Sequence, residues 1–156
     1  MDDRRLNIIL AEGEEILELI PQRYPMVMID RLNQCDEMHT VTSLTIRNGN
    51  IFIRDNHFME PGLIESMAQT AAVRTGWLLK MKNGGKNKNV PVGVIGSIKN
   101  FKLFFYPETG SEILTTITVN HEVMNATVAR GEVIVNDRKA AECELQIFIT
   151  EQSSKS

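Results

Sequence analysis

Cysteine and histidine are scarce in this chain, and the few present (Cys35, Cys143, His39, His57 and His121) are widely dispersed. No pair has the spacing of a metal-ligand set, so neither a structural zinc site nor a redox cofactor is expected. Two lone thiols suit a reduced, cytoplasmic setting better than a disulfide framework. Positive charge is also short. The net charge is -3 and no basic cluster is interleaved with aromatics, which argues against nucleic acid as the main partner, because neutralising phosphates needs a basic face. Long apolar runs are missing as well. The opening "MDDRRLNIILAEGEE" turns acidic too soon for a secretory signal, and no run reaches membrane-spanning length. The segment 82–89, "KNGGKNKN", contains Gly and Lys without the order of a phosphate-cradling loop.

What is present is an ordinary globular composition, 42% apolar and 24% charged over 156 residues. That suits one domain, 1–156, with a core from about 14 to 150 and a polar tail over 151–156. Ile16, Leu17 and Ile20 sit at helical spacing in 12–20, and Pro21 ends that helix. The stretch 24–55 reads as extended, with Asn48-Gly49 as a two-residue hairpin signal. After a helix from Pro61-Gly62 to about Lys82, the rest reads as strands over 91–105, 112–121, 126–136 and 139–150. The last of these alternates Ala141, Cys143, Leu145, Ile147 and Ile149 against Glu142, Glu144 and Gln146, the pattern of a sheet with one buried and one wet face.

The long helix differs from the strands. Leu63, Ile64, Met67, Ala68, Ala71, Ala72, Val73, Trp77, Leu78 and Leu79 point in nearly every direction around its axis. A helix apolar all round is buried all round, so a rod of about 30 Å enclosed by a curved antiparallel sheet is expected. Ala68, Ala71, Ala72 and Gly76 would let that sheet approach closely. Glu65 stands out in this setting, because a carboxylate among apolar side chains is costly unless it is paired, neutralised or used. Arg74 is nine positions away, too far for a helical pair. Gln69 is one turn on, placed either to orient Glu65 or to satisfy buried backbone. His57 lies just ahead of the helix, as a base or as an ordinary loop histidine. Met67 is core or tunnel lining, while His39 and His121 read as surface residues.

Several stretches resemble the 3-hydroxyacyl-ACP dehydratases. "IPQRYPMVMIDRL" (20–32) is similar to that family's "LPHRYPFLLVDRV", and "ESMAQTAA" (65–72) to its E-x-x-A-Q helix motif. "IGSIKNFKLFFYPETGSEILTTITV" and "ARGEVIVNDRKAAECELQIFI" resemble its last strands. The resemblance implies an α+β hotdog fold, a long central helix wrapped by an antiparallel sheet. It implies elimination of water from a 3-hydroxyacyl thioester on the phosphopantetheine arm of acyl carrier protein, with no further cofactor. It also implies a dimer or trimer of dimers, a heterodimer being open, with each site built from two subunits at the end of an acyl tunnel.

The resemblance carries two catalytic roles, His57 as base and Glu65 as acid. It adds Gly62, Gln69 and Met67 as substrate-binding positions, with amides near Gly62 facing the enolate. The chemistry fits these residue types. Histidine titrates near working pH, a carboxyl in an apolar pocket favours its neutral form, and a helix start offers a positive end. Compared with the family pattern, four residues are missing between His57 and Pro61-Gly62, and two more between that pair and Glu65. Phe104, Phe105 and Tyr106 replace a basic run, leaving Lys99 and Lys102 as the nearest cations, so docking an acidic carrier is expected to rely on other basic residues such as Arg74, Lys82, Lys86 and Lys88. Two rivals stand beside this reading. A hotdog thioesterase would use Glu65 alone to activate water, and a non-catalytic member would bind acyl chains or act as the inert half of a heterodimer.

Overall fold

The computed structural model describes residues 8–85 and 92–150; the expected polar tail and positions 86–89 of the lysine-bearing loop lie outside them. In chain order the elements are β1 (Ala11–Glu12), α1 (Glu14–Leu17), β2 (Arg31–Cys35), β3 (His39–Thr45), β4 (Ile53–Arg54) and β5 (His57–Phe58). There follow α2 (Glu60–Lys82), β6 (Val92–Leu103), β7 (Glu112–Val123), β8 (Ala126–Val135) and β9 (Arg138–Thr150). Seven strands form one antiparallel sheet in the order β1-β2-β3-β7-β8-β9-β6, and β4-β5 is a separate ribbon. The sheet packs on α2, which is the hotdog arrangement.

Local chemistry explains the main elements. Pro61 and Glu60 open α2, and Lys80 and Lys82 close it, each matching the helix dipole or its unpaired amides. Asn136 and Asp137 take positive φ (48° and 63°) in the tight turn joining β8 to β9, as their short polar side chains allow. In β9, Ala141, Cys143 and Leu145 face the core with Ile113, Ile117, Ala129 and Val133, against Leu63, Met67 and Ala71 of α2.

Three expectations need correction. The helix of 12–20 is only α1, because Glu12 instead pairs with Arg31 as part of β1. Asn48-Gly49 forms a turn within a longer connection, closed by Asn50 N–H on the Arg47 carbonyl at 3.1 Å, and no hairpin spans it. The two-residue hairpin turn of this region is Asp55-Asn56, both at positive φ (50° and 64°). Finally, α2 is not enclosed all round. The sheet covers one side, and the segment carrying Ile16 and Leu19 covers another through Val73 and Trp77. Ile64, Glu65, Ala68, Ala72, Thr75 and Leu79 form a third side that is only half-buried.

Of the two glycines on α2, Gly76 makes the tighter approach, and it faces α1's exit rather than the sheet. A Cβ there would lie 2.2 Å from the Leu19 carbonyl oxygen. Backbone cannot yield as a flexible side chain can, so Gly76→Ala is expected to destabilise by about 3 kcal/mol. A urea midpoint that falls at constant m would show it; an unchanged midpoint would contradict the packing. No described helix is long and apolar enough to cross a membrane.

Candidate active site

The β4–β5 ribbon has two residues per strand, too few to hold itself together. Neighbouring backbone fixes it. Phe58 N–H donates to the Pro107 carbonyl at 2.8 Å, Thr109 N–H to the Asn56 carbonyl at 3.0 Å, and Met59 N–H to the Phe52 carbonyl at 3.0 Å. The Phe58 side chain is fully buried and meets Phe52 edge-on, with ring centroids 6.5 Å apart. His57 is therefore anchored although the approach to α2 is short. Its ring is half-buried, and Nδ1 lies 2.7 Å from the Asp55 carbonyl. A carbonyl can only accept, so Nδ1 carries the proton and the lone pair of the neutral ring is on Nε2. Nε2 has no partner among the described residues. His57 lines an open depression together with Arg54, Asp55, Met59 and Tyr106.

Glu65 answers its own puzzle by lying on the uncovered stripe of α2, half-buried rather than sealed in the core. Its Oε1 accepts a hydrogen bond from Gln69 Nε2 at 2.8 Å. Gln69 is fully buried, and its amide orientation is fixed by three bonds. Its Oε1 accepts from Met28 N–H at 2.7 Å, and its Nε2 also donates to the Met26 carbonyl at 2.7 Å. Gln69 thus does both things the sequence allows: it satisfies buried backbone and orients Glu65. Glu65 Oε2 has no partner among the described residues. No hydrogen bond or ion pair joins Glu65 to His57 among them, and Glu65 does not line the depression beside His57.

Gly62 and Met67 serve packing. A Cβ on Gly62 would lie 2.5 Å from Phe58 Cζ and 2.9 Å from Phe52 Cβ, so only glycine fits under the two rings. The amides of Gly62 and Leu63 both donate to the Met59 carbonyl, at 2.9 and 3.2 Å, and Pro61 has none. The first turn therefore keeps its donors within the chain instead of presenting Gly62 N–H to an enolate. Met67 is fully buried, with Sδ 3.6 Å from Cys143 Sγ; it lines the core rather than an open channel. Burial pushes the Cys143 thiol up to about 11, far from a reactive thiolate.

Arg74 is also withdrawn from the surface. It is buried, and its Nε and Nη2 donate to the Glu37 carbonyl at 3.2 and 2.8 Å, with Glu122 3.5 Å away. It is not a docking cation. Lys82 is exposed, while Lys86 and Lys88 fall outside the described residues. His39 is exposed beside Asp36, and His121 lies within β7 rather than at a turn. Among the described residues no three His, Cys, Asp or Glu side chains could hold a metal ion. The sequence reading missed Tyr106 and Glu60: the phenol donates to the Glu60 carboxylate, and its ring stands edgewise to His57 with centroids 6.4 Å apart.

Comparison with known proteins agrees with this fold. The model of the ApeP-like family, described as ApeP dehydratase, matches residues 14–156. The 3-hydroxyacyl-[acyl-carrier-protein] dehydratase FabZ of Clostridium acetobutylicum is 29% identical over 142 residues, covering 87% of this chain and 96% of the relative. FabZ of Natranaerobius thermophilus is 28% identical over 150 residues, covering 92% and 100%. Among solved structures, the dehydratase heterocomplex ApeI:P from Xenorhabdus doucetiae superposes with a TM-score of 0.77 at 15% identity, over 88% of this chain and 91% of that one. The HP0420-homologue from Helicobacter felis superposes at 0.65 and 17% identity, over 97% and 98%. At these identities the two structures show the shared fold.

Proposed function

The chain belongs to the ApeP-like dehydratase family, and from that premise we propose that it eliminates water from a 3-hydroxyacyl thioester to give a trans-2-enoyl thioester. The thioester is carried on acyl carrier protein, as in the names of the FabZ relatives, and no cofactor beyond its phosphopantetheine arm takes part. The observation that carries this reading is Glu65, held through one oxygen by a rigid Gln69 on the half-buried side of α2, with no partner for the other oxygen among the described residues. Glu65 acts as the acid and gives a proton to the departing hydroxyl. His57 acts as the base and takes the C2 proton on Nε2. The C2–H electrons become the new C2–C3 double bond, the C3–O bond breaks, and water leaves. Solvent then returns the proton from His57 to Glu65.

His57 and Glu65 do not meet within one chain, so we assign them to a site shared by two chains. Two features support this: the half-buried stripe of α2, and the long strand β6, one of the two edges of the seven-stranded sheet, whose outer side pairs with no other strand among the described residues. A homodimer, alone or as part of a trimer of dimers, supplies both groups. The Xenorhabdus doucetiae structure is of a heterocomplex, so a different second chain is the other arrangement with support. We place the protein in the cytoplasm on the same reading. Gly62 belongs to the site for the room it leaves Phe52 and Phe58, and Gln69 for orienting Glu65.

The test offers purified protein a 3-hydroxyacyl-ACP and the matching 2-enoyl-ACP. Interconversion is the expected result. Release of free thiol alone would make the protein a thioesterase. Activity that arises only after a second hotdog chain is added would make it half of a heterodimer.

A further inference from the structure

Tyr106 stands where His57 meets α2, and its own position is fixed from three directions. On its N-terminal side, Phe104 N–H and Phe105 N–H both donate to the Ala140 carbonyl, at 2.7 and 3.3 Å. Arg138 lies over the Phe105 ring at 4.7 Å. On its C-terminal side, the Pro107 carbonyl accepts Phe58 N–H at 2.8 Å. Its phenol donates to Glu60 in the first turn of α2, where the helix favours a carboxylate. That hydrogen bond holds the Glu60 carboxyl below its ordinary range, and Glu60 raises the Tyr106 phenol. The proton therefore stays on Tyr106 and the charge on Glu60, which makes the bond one-directional.

The His57 ring is consequently clamped on two sides. The Asp55 carbonyl holds Nδ1, and the Tyr106 ring, tethered to the start of α2, stands edgewise at 6.4 Å. A free imidazole on a ribbon of two-residue strands would sample both ring orientations and both tautomers. We propose that Tyr106, tethered by Glu60, is a positioning residue that fixes the ring orientation of His57, and through it keeps Nδ1–H on the Asp55 carbonyl and Nε2 toward the substrate. Its kinetic consequence rests on the dehydratase reading; the effect on the imidazole does not.

The experiment combines 15N NMR of the histidine rings with steady-state kinetics on a 3-hydroxyacyl-ACP for wild type, Tyr106→Ala and Tyr106→Phe. Wild-type His57 should show a single tautomer protonated on Nδ1. Tyr106→Ala should show a mixture, with kcat about 10- to 100-fold lower at unchanged KM, because a misaimed base loses its approach to the proton. Tyr106→Phe keeps the ring edge but loses the tether to Glu60, and should recover part of the loss. A single Nδ1–H tautomer with full kcat in Tyr106→Ala would overturn the proposal. So would a loss of activity that follows thermal stability and is not recovered by phenylalanine. If wild type does not turn over the substrate, the dehydratase reading fails, and the tautomer in Tyr106→Ala still decides whether Tyr106 positions His57.

Discussion

His57→Ala should lower kcat on a 3-hydroxyacyl-ACP by about 100- to 10,000-fold while leaving KM nearly unchanged, the usual range for loss of a general base. The ring contributes little to the core. It is half-buried, and its only hydrogen bond among the described residues is the local one to the Asp55 carbonyl. The ribbon that carries it is held by the Phe58, Asn56 and Met59 backbone, none of which needs the imidazole. Thermal stability should therefore stay close to wild type, which separates a catalytic loss from unfolding. Activity retained at the wild-type level would remove His57 from the site and leave Glu65 acting alone, as a thioesterase would use it.

Glu65→Gln is the second large effect. The amide keeps nearly the shape of the carboxyl, and its oxygen still accepts from Gln69 Nε2, so the bonds from Gln69 to Met26 and Met28 remain intact. What disappears is the transferable proton. Turnover should fall by about 100-fold or more, with the urea midpoint unchanged. Near-normal turnover would show that some other group protonates the leaving hydroxyl.

The long elements of this fold are legible in the sequence because each carries many residues of one pattern. Twenty-three residues of helix and the alternation of β9 leave little room for another outcome. Short elements are not legible. β4 and β5 have no periodicity to detect, and Asp55-Asn56 makes a turn that the more familiar Asn48-Gly49 signal obscured. Composition also misjudged the surroundings of α2, because apolar residues on every side do not distinguish cover by this chain from cover by another. Within the candidate site, the contact between Glu65 and Gln69 could be read from their one-turn spacing. Tyr106 and Glu60 are 46 positions apart, and only the fold brings them together. The role expected of the Gly62 amide failed on a local detail, the Met59 carbonyl that accepts both first-turn donors.

In the proposed shared site, His57 of one chain works with Glu65 of another. Mixing the two inactive variants tests it most directly. When His57→Ala and Glu65→Gln chains are co-refolded in equal amounts, about half the dimers are mixed and each holds one intact site, so about a quarter of wild-type activity should return. Co-assembly without any activity above that of the separate variants would contradict the shared site.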